Sequence, residues 1–169
     1  LVERKHWLND DYVKFIAFAE AMISKCGAGI VSMITNHGYL DNPTFRGMRW
    51  RLLSTFDEIL VLDLHGNAKK KEVAPDGSPD ENVFNIQQGV AIIVGVKHRQ
   101  SPKSANATVR RADLYGSRAS KFTALKSNEV KFDQVVPVRP YLSFTHIGDG
   151  DRKLYETGPS IPEIFPLNT

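Results

Sequence analysis

At 169 residues, with 41% apolar and 24% charged side chains, the chain can bury one core and has the composition of a globular protein rather than a disordered one. Lysine and arginine exceed aspartate and glutamate by 22 to 19, a formal charge of +3 that points only weakly to nucleic acid, because where charge sits matters more than its sum. The single cysteine, Cys26, excludes an internal disulfide and a multi-cysteine zinc site, and no apolar run approaches the ~20 residues of a membrane span, so a reducing, cytoplasmic setting without membrane contact is expected. No signal peptide opens the chain, and its first residue, Leu1, fits a piece of something longer.

Tyr12, Phe15, Ile16, Ala19, Met22 and Ile23 recur at helical spacing behind Asn9, Asp10 and Asp11, any of which suits a helix start, so a helix is expected over 11–25. Gly27 and Gly29 stop it, and the nearly continuous apolar run GIVSMIT follows, of the kind buried in a parallel sheet. Asn42-Pro43 opens a second helix, with Phe45, Met48 and Leu52 on its buried face and Arg46, Arg49 and Arg51 expected on the solvated side. The run ILVLDL then resumes the sheet, and helix, strand, helix, strand in this order argues for an α/β fold with parallel neighbours.

A second apolar strand, GVAIIVGV, ends at Val96 just before Lys97, and the connection over residues 65–88 is too long for an ordinary hairpin loop of about two to five residues. That connection carries Lys69, Lys70 and Lys71, a Pro-Asp-Gly turn at Pro75 to Gly77, and a lone aromatic, Phe84, among amides. Basic groups attract phosphate and an aromatic ring beside amides holds a planar base; a solvated charge run and a core-anchoring Phe are the competing readings. Further on, residues 108–115 read as a strand, Ser117 as the cap of a short helix through Leu125, and YLSFTHI as another alternating strand. SPKSANAT reads as a polar loop and GPSIPEIFPLNT as an extended tail.

Three chemical motifs are discounted or weak. Gly27-Ala28-Gly29 precedes its strand, whereas a dinucleotide loop follows one. His37, Asp63 and His65 lie near strand ends, where an α/β metallohydrolase would gather ligands, but no ligand-spaced pair sits on one element and hydrogen-bonded structural residues fit better. Ser, Cys and His show no nucleophile-elbow pattern.

The segment TNHGYLDNPTFRGMRWRLLSTFDEILVLDLHGNAKKKE, continuing into PDGSPDENVFNIQQGVAIIVGVK, resembles the DNA adenine-N6 methyltransferase region of type ISP restriction-modification enzymes, specifically over residues 12–97 and more loosely over YGSR and the tail. The resemblance implies part of a Rossmann-like, S-adenosylmethionine-dependent methyltransferase fold: parallel strands plus a terminal antiparallel strand. Residues 1–100 would be the C-terminal half of the amino-methyltransferase catalytic domain, and residues 101–169 a linker and short elements leading towards a target-recognition domain. The family's Gly-rich S-adenosylmethionine loop and its Asn/Asp-Pro-Pro-Tyr/Phe motif are both missing; Asn42-Pro43-Thr44 is not that motif. The fragment is therefore expected to hold no catalytic, cofactor-binding or metal-binding residue, to bind S-adenosylmethionine weakly if at all, and to be inactive alone.

By the same resemblance Phe84 matches the aromatic that stacks on an adenine flipped out of double-stranded DNA, and Thr35-Asn36-His37-Gly38-Tyr39 matches the loop bordering the adenine pocket. Asn36 would bond the base or order the catalytic loop, and Tyr39 would pack against it, with a capped turn as the alternative. Lys69, Lys70 and Lys71 would contact phosphates. The partners implied are the DNA, the remaining methyltransferase half and the target-recognition domain. A noncatalytic DNA-binding or scaffold module is the alternative function.

Overall fold

A computed structural model describes residues 6–99, 106–127, 130–146, 148 and 157–159. Helix α1 spans Asp11–Cys26, with Asp10 at its N-cap position and Gly27 at its C-cap in the left-handed conformation, φ 77°. Its Ile16 is buried and Tyr12 and Ile23 pack beside the core, but Phe15 and Met22, expected on the buried face, are exposed together with Phe18. Three residues at i, i+3 and i+7 thus form a second apolar stripe on the open side of the helix.

Strands β1 (Gly29–Asn36), β2 (Glu58–Asp63), β3 (Val90–Lys97), β4 (Thr108–Asp113) and β5 (Asp133–Val135) form one sheet in the order β1-β3-β2-β4-β5. The expectation of parallel neighbours is corrected here. β1 and β2 do run the same way, but β3 lies between them and is antiparallel to both, while the parallel neighbours are β2 and β4. GIVSMIT is likewise an edge strand: among the described residues β1 pairs only with β3, and Ile30 and Ile34 are exposed.

Helix α2 (Arg46–Thr55) follows a 3-10 turn, Pro43–Phe45, capped where the Asn42 side chain accepts the Thr44 amide at 2.9 Å. Phe45 and Leu52 are buried, and with Phe56 they cover Ile59, Val61, Ala91 and Ile93 on one sheet face. Helix α3 (Arg118–Ser127) begins after Ser117, whose hydroxyl accepts the Ser120 amide at 3.1 Å, as a capping residue should. On the second face Leu125 of α3 joins Leu62, Leu64, Val90 and Ala112. Val109, Val135 and Phe144 share the core of α1 and α2, so the polypeptide on both sides of residue 100 has one core.

Two expectations fail for one reason. Arg49, expected on the solvated side of α2, is fully buried, and YLSFTHI, expected as a strand, is a turn over its described residues 141–146. The Arg49 guanidinium donates to the carbonyls of Tyr39, Asn42, Tyr141 and Leu142 at 2.6–3.1 Å, so it consumes the acceptors a strand would have offered a neighbour. The Phe144 amide donates to the Leu40 carbonyl at 2.8 Å, completing the join. Residues 101–105 of the polar loop and 160–169 of the tail lie outside the described residues.

Candidate nucleic-acid interface

The C-terminal ends of β1, β2 and β4 emerge on the same side of the sheet, since Asn36 pairs with Val90, Asp63 with Ala91, and Asp63 also with Asp113. In α/β folds this is the end where ligands bind. The connection from β2 to β3 leaves here and is held by two buried polar clusters.

The first cluster centres on Asp63. One carboxylate oxygen accepts from His37 Nδ1 and from the His65 amide, each at 3.0 Å, and the other accepts from Arg111 at 2.8 Å. His65 places Nδ1 against Glu72 and Nε2 against Asp113, both at 2.7 Å, while Tyr115 stacks on its ring at 3.9 Å. Asn67 bonds the remaining His37 nitrogen at 3.2 Å. His37, Asp63 and His65 therefore do converge, with candidate ligand atoms within 4.8 Å of one another. Yet every imidazole nitrogen already has a protein partner and Asp63 is ion-paired to a buried guanidinium. A cation would have to displace these contacts, so the set fits a structural clamp better than a metal centre.

Burial works to lower the pKa of His65, but its hydrogen bonds to Asp113 and Glu72 and the charge of Asp63 outweigh that and raise it to about 9. Burial likewise opposes ionisation of Asp63, Glu72 and Asp113. Hydrogen bonds and charge from the histidines, with Arg111 adding at Asp63 and Asp113, hold all three below the usual carboxylate range. A raised histidine stabilises the fold fully below its unfolded value of ~6.5, and that contribution disappears as pH rises through about 9. The depressed carboxylates contribute above ~4 and lose their contribution on acidification. Unfolding free energies of the native chain and His65→Gln should thus differ by ~3 kcal/mol near pH 6 and converge near pH 9. A pH-independent difference would show that the imidazolium does not clamp the loop.

The second cluster holds the far part of the connection. Asp80 accepts the amides of Gly66 and Gly116 at 2.6 and 2.7 Å and pairs with the buried Lys121 ammonium at 2.7 Å, which also donates to the carbonyls of Leu64 and Glu81. Gly66, at φ 77°, is required where the two arms meet, because a Cβ there would fall 2.4 Å from Asn82 Cα. Between the arms the expected Pro-Asp-Gly turn forms, with the Gly77 amide donating to the Ala74 carbonyl at 2.8 Å and Val73 bridging Pro79.

Between these anchors opens a shallow cleft of about 630 Å³, lined by Gly66, Ala68, residues 80–82, Phe84, Asn85, Ile86, Gln87 and Arg118. Val83 is the residue of this stretch that enters the core; the neighbouring Phe84 is 42% exposed. The Phe84 backbone is nevertheless fixed, its amide donating to Asn82 Oδ1 at 2.9 Å and its carbonyl accepting from Arg118 at 3.1 Å. The three lysines are exposed, on and just after the 3-10 turn Ala68–Lys70 that flanks the cleft, and none forms an ion pair among the described residues. The Lys69 amide reaches the Gln87 carbonyl at 3.4 Å and ties that turn to the cleft wall.

Of the residues singled out in the sequence, Phe84 lines the cleft and the lysines flank it. Asn36 instead caps the turn His37–Leu40 by accepting the Gly38 amide at 2.7 Å, and Tyr39 is wholly buried against Tyr12 and Thr35. Asp113, Arg111 and Arg118 were not legible as site residues, since the groups they hold are remote in sequence, and Glu72 joins His65 only through the fold of the connection itself.

No protein-family model and no curated protein matches the chain. Solved structures do match, among them the following three. The cryo-electron microscopy structure of the DrdV–DNA complex is 26% identical, with a TM-score of 0.66 over 82% of this chain and 13% of that one. The ATP-dependent type ISP restriction-modification enzyme LlaBIII bound to DNA is 28% identical, with a TM-score of 0.66 over 78% of this chain and 9% of that one. A nuclease-deletion mutant of the type ISP enzyme LlaGI, in complex with a DNA substrate mimic, shares the fold at 22% identity, with a TM-score of 0.65 over 78% of this chain and 13% of that one. The chain thus spans only 9–13% of the length of the chains it resembles and is similar to one part of such enzymes.

Proposed function

We propose that the chain is the later part of the DNA adenine-N6 methyltransferase region of a type ISP restriction-modification enzyme, supplying the target-base side of its active site. The observation that carries this reading is Phe84: a large apolar ring left half exposed on a backbone fixed at both its amide and its carbonyl, at the mouth of an open cleft. Methylating an adenine amino group requires the base to leave the duplex stack, and a preset aromatic face with amides beside it replaces the stacking and edge contacts that are lost. The antiparallel β3 agrees with the terminal strand expected of the Rossmann-like methyltransferase fold, and the solved structures similar to the chain were obtained with DNA or a DNA mimic.

In this reading Asn36 and Tyr39 act behind the surface, ordering the turn that borders the base pocket, while Lys69, Lys70 and Lys71 meet phosphates along the cleft. S-adenosylmethionine supplies the methyl group in the complete enzyme, but this chain lacks the loop to hold it and contributes no catalytic group. The remaining methyltransferase half would bind the donor. The exposed stripe Phe15, Phe18 and Met22 and the open edge strand with Ile30 and Ile34 are the surfaces such a half would cover.

The complete polypeptide that contains this chain should transfer methyl groups from S-adenosylmethionine to N6 of adenine in duplex DNA. Its DNA affinity should fall steeply with salt, and changing Lys69, Lys70 and Lys71 together to Ala should flatten the dependence by up to ~3 counterions. Product DNA without N6-methyladenine would contradict the function. An unchanged salt slope would return the lysines to the solvated surface.

A further inference from the structure

We infer that Arg118 is a positioning residue that holds Phe84 for the extruded base, a role that rests on the stacking function proposed above. Arg118 is the first residue of α3 and is anchored there by its own amide, which donates to Glu81 Oε2 at 2.7 Å. Its side chain then crosses the cleft wall. Nε donates to the Asn82 carbonyl at 2.9 Å, and one terminal nitrogen donates both to the Phe84 carbonyl at 3.1 Å and to Asn85 Oδ1 at 2.9 Å. Asn82 in turn accepts the Phe84 amide and donates to the carbonyls of Gly66 and Gln88, at 3.0 and 2.6 Å. The short run from Asn82 to Asn85 is thereby fastened on one side to the loop's return and on the other to α3.

Arg118 forms no ion pair among the described residues, and its side-chain hydrogen bonds to Asn82, Phe84 and Asn85 all go to this one stretch of loop. The planar fork of a guanidinium satisfies several acceptors at fixed angles, which a lysine ammonium cannot reproduce. The ring it steadies has little core contact of its own to hold it. Removing the fork should therefore leave the fold intact and free the ring, turning a preset stacking platform into one that must be ordered when the base arrives.

Hydrogen exchange on the 169-residue chain tests the clamp without reference to DNA. Arg118→Met and Arg118→Lys should each speed exchange at the Phe84 amide about tenfold or more while leaving Ile93, in the core of β3, unchanged. In the complete enzyme Arg118→Lys should weaken methylation of duplex DNA, partly recover on a mismatched target adenine as Phe84→Ala should, and add nothing to the loss in a Phe84→Ala background. Unaltered exchange at Phe84, or losses that add in the double variant, would overturn the positioning role. A fall in the salt slope equal to that of losing one phosphate contact would overturn it in favour of direct DNA contact. Normal methylation by Phe84→Ala alone would instead remove the stacking function, and the role of Arg118 with it.

Discussion

Asp63→Ala should destabilise the chain by ~3–5 kcal/mol, the usual cost of stripping one partner from a buried ion pair. Asp63 is 3% exposed and serves four groups at once: His37, the His65 amide and, through its second oxygen, Arg111, with the His65 ring close by at 3.9 Å. Its removal leaves the buried Arg111 with Asp113 as its remaining carboxylate and frees the start of the β2–β3 connection. A single domain is worth only about 5–15 kcal/mol in total, so the variant should be largely unfolded in mild denaturant. Changing Arg111 to Met in the same chain should recover part of the loss, because the second change removes the buried charge that the first left with Asp113 as its one carboxylate partner. Denaturant titration of the single and double variants decides the matter; a loss below ~1 kcal/mol, or strict additivity, would show that the cluster is solvated and not a clamp.

Phe84→Ala should do the opposite, sparing the fold and damaging the reaction. Truncating a buried Phe costs about 3–5 kcal/mol, but this ring is 42% exposed and the core contact at this point is made by Val83. The melting temperature should therefore stay near that of the native chain. Base–aromatic stacking is worth about 1–3 kcal/mol, so methylation of duplex DNA by the complete enzyme should fall between about fivefold and a hundredfold. A target adenine facing a mismatch costs less to extrude and should recover part of the loss, and Tyr or Trp at position 84 should retain much of the activity because each keeps a stacking face. A variant that melts many degrees lower while its folded fraction methylates normally would make Phe84 a structural anchor.

The elements were legible where periodicity is local. The helical spacing before Cys26, the Asn42-Pro43 start and the Ser117 cap each produced the element they signal, because caps and amphipathic faces act over a few residues. Order within the sheet was not, because alternation says which face a side chain meets and nothing about the neighbouring strand. GIVSMIT reads as a central strand by its apolar content, yet it lies at an edge with one face under α1 and Ile30 and Ile34 open. Residues 141–146 alternate like a strand, but Arg49, about ninety residues earlier, takes two of their carbonyls. An arginine inside an amphipathic helix looks like surface in any local window.

The candidate site shows the same division. A lone aromatic among amides in an over-long connection marked Phe84, and the histidines and Asp63 at strand ends form hydrogen bonds with one another and with further polar side chains. Their partners were hidden because Arg111 and Asp113 come from β4, and Arg118 from α3, each more than thirty residues from the group it holds. Only the parallel pairing of β4 with β2, and the return of α3 over the second sheet face, bring them there.

Photochemical joining of the target position to the protein tests the stacking function most directly. The complete enzyme, bound to a duplex in which 5-iodouracil replaces the target adenine, should on irradiation form an adduct that maps to Phe84. The adduct should be lost in Phe84→Ala and kept in Phe84→Tyr. An adduct mapped to a different aromatic residue, with Phe84 unmodified, would contradict the assignment of this cleft as the place where the extruded base lies.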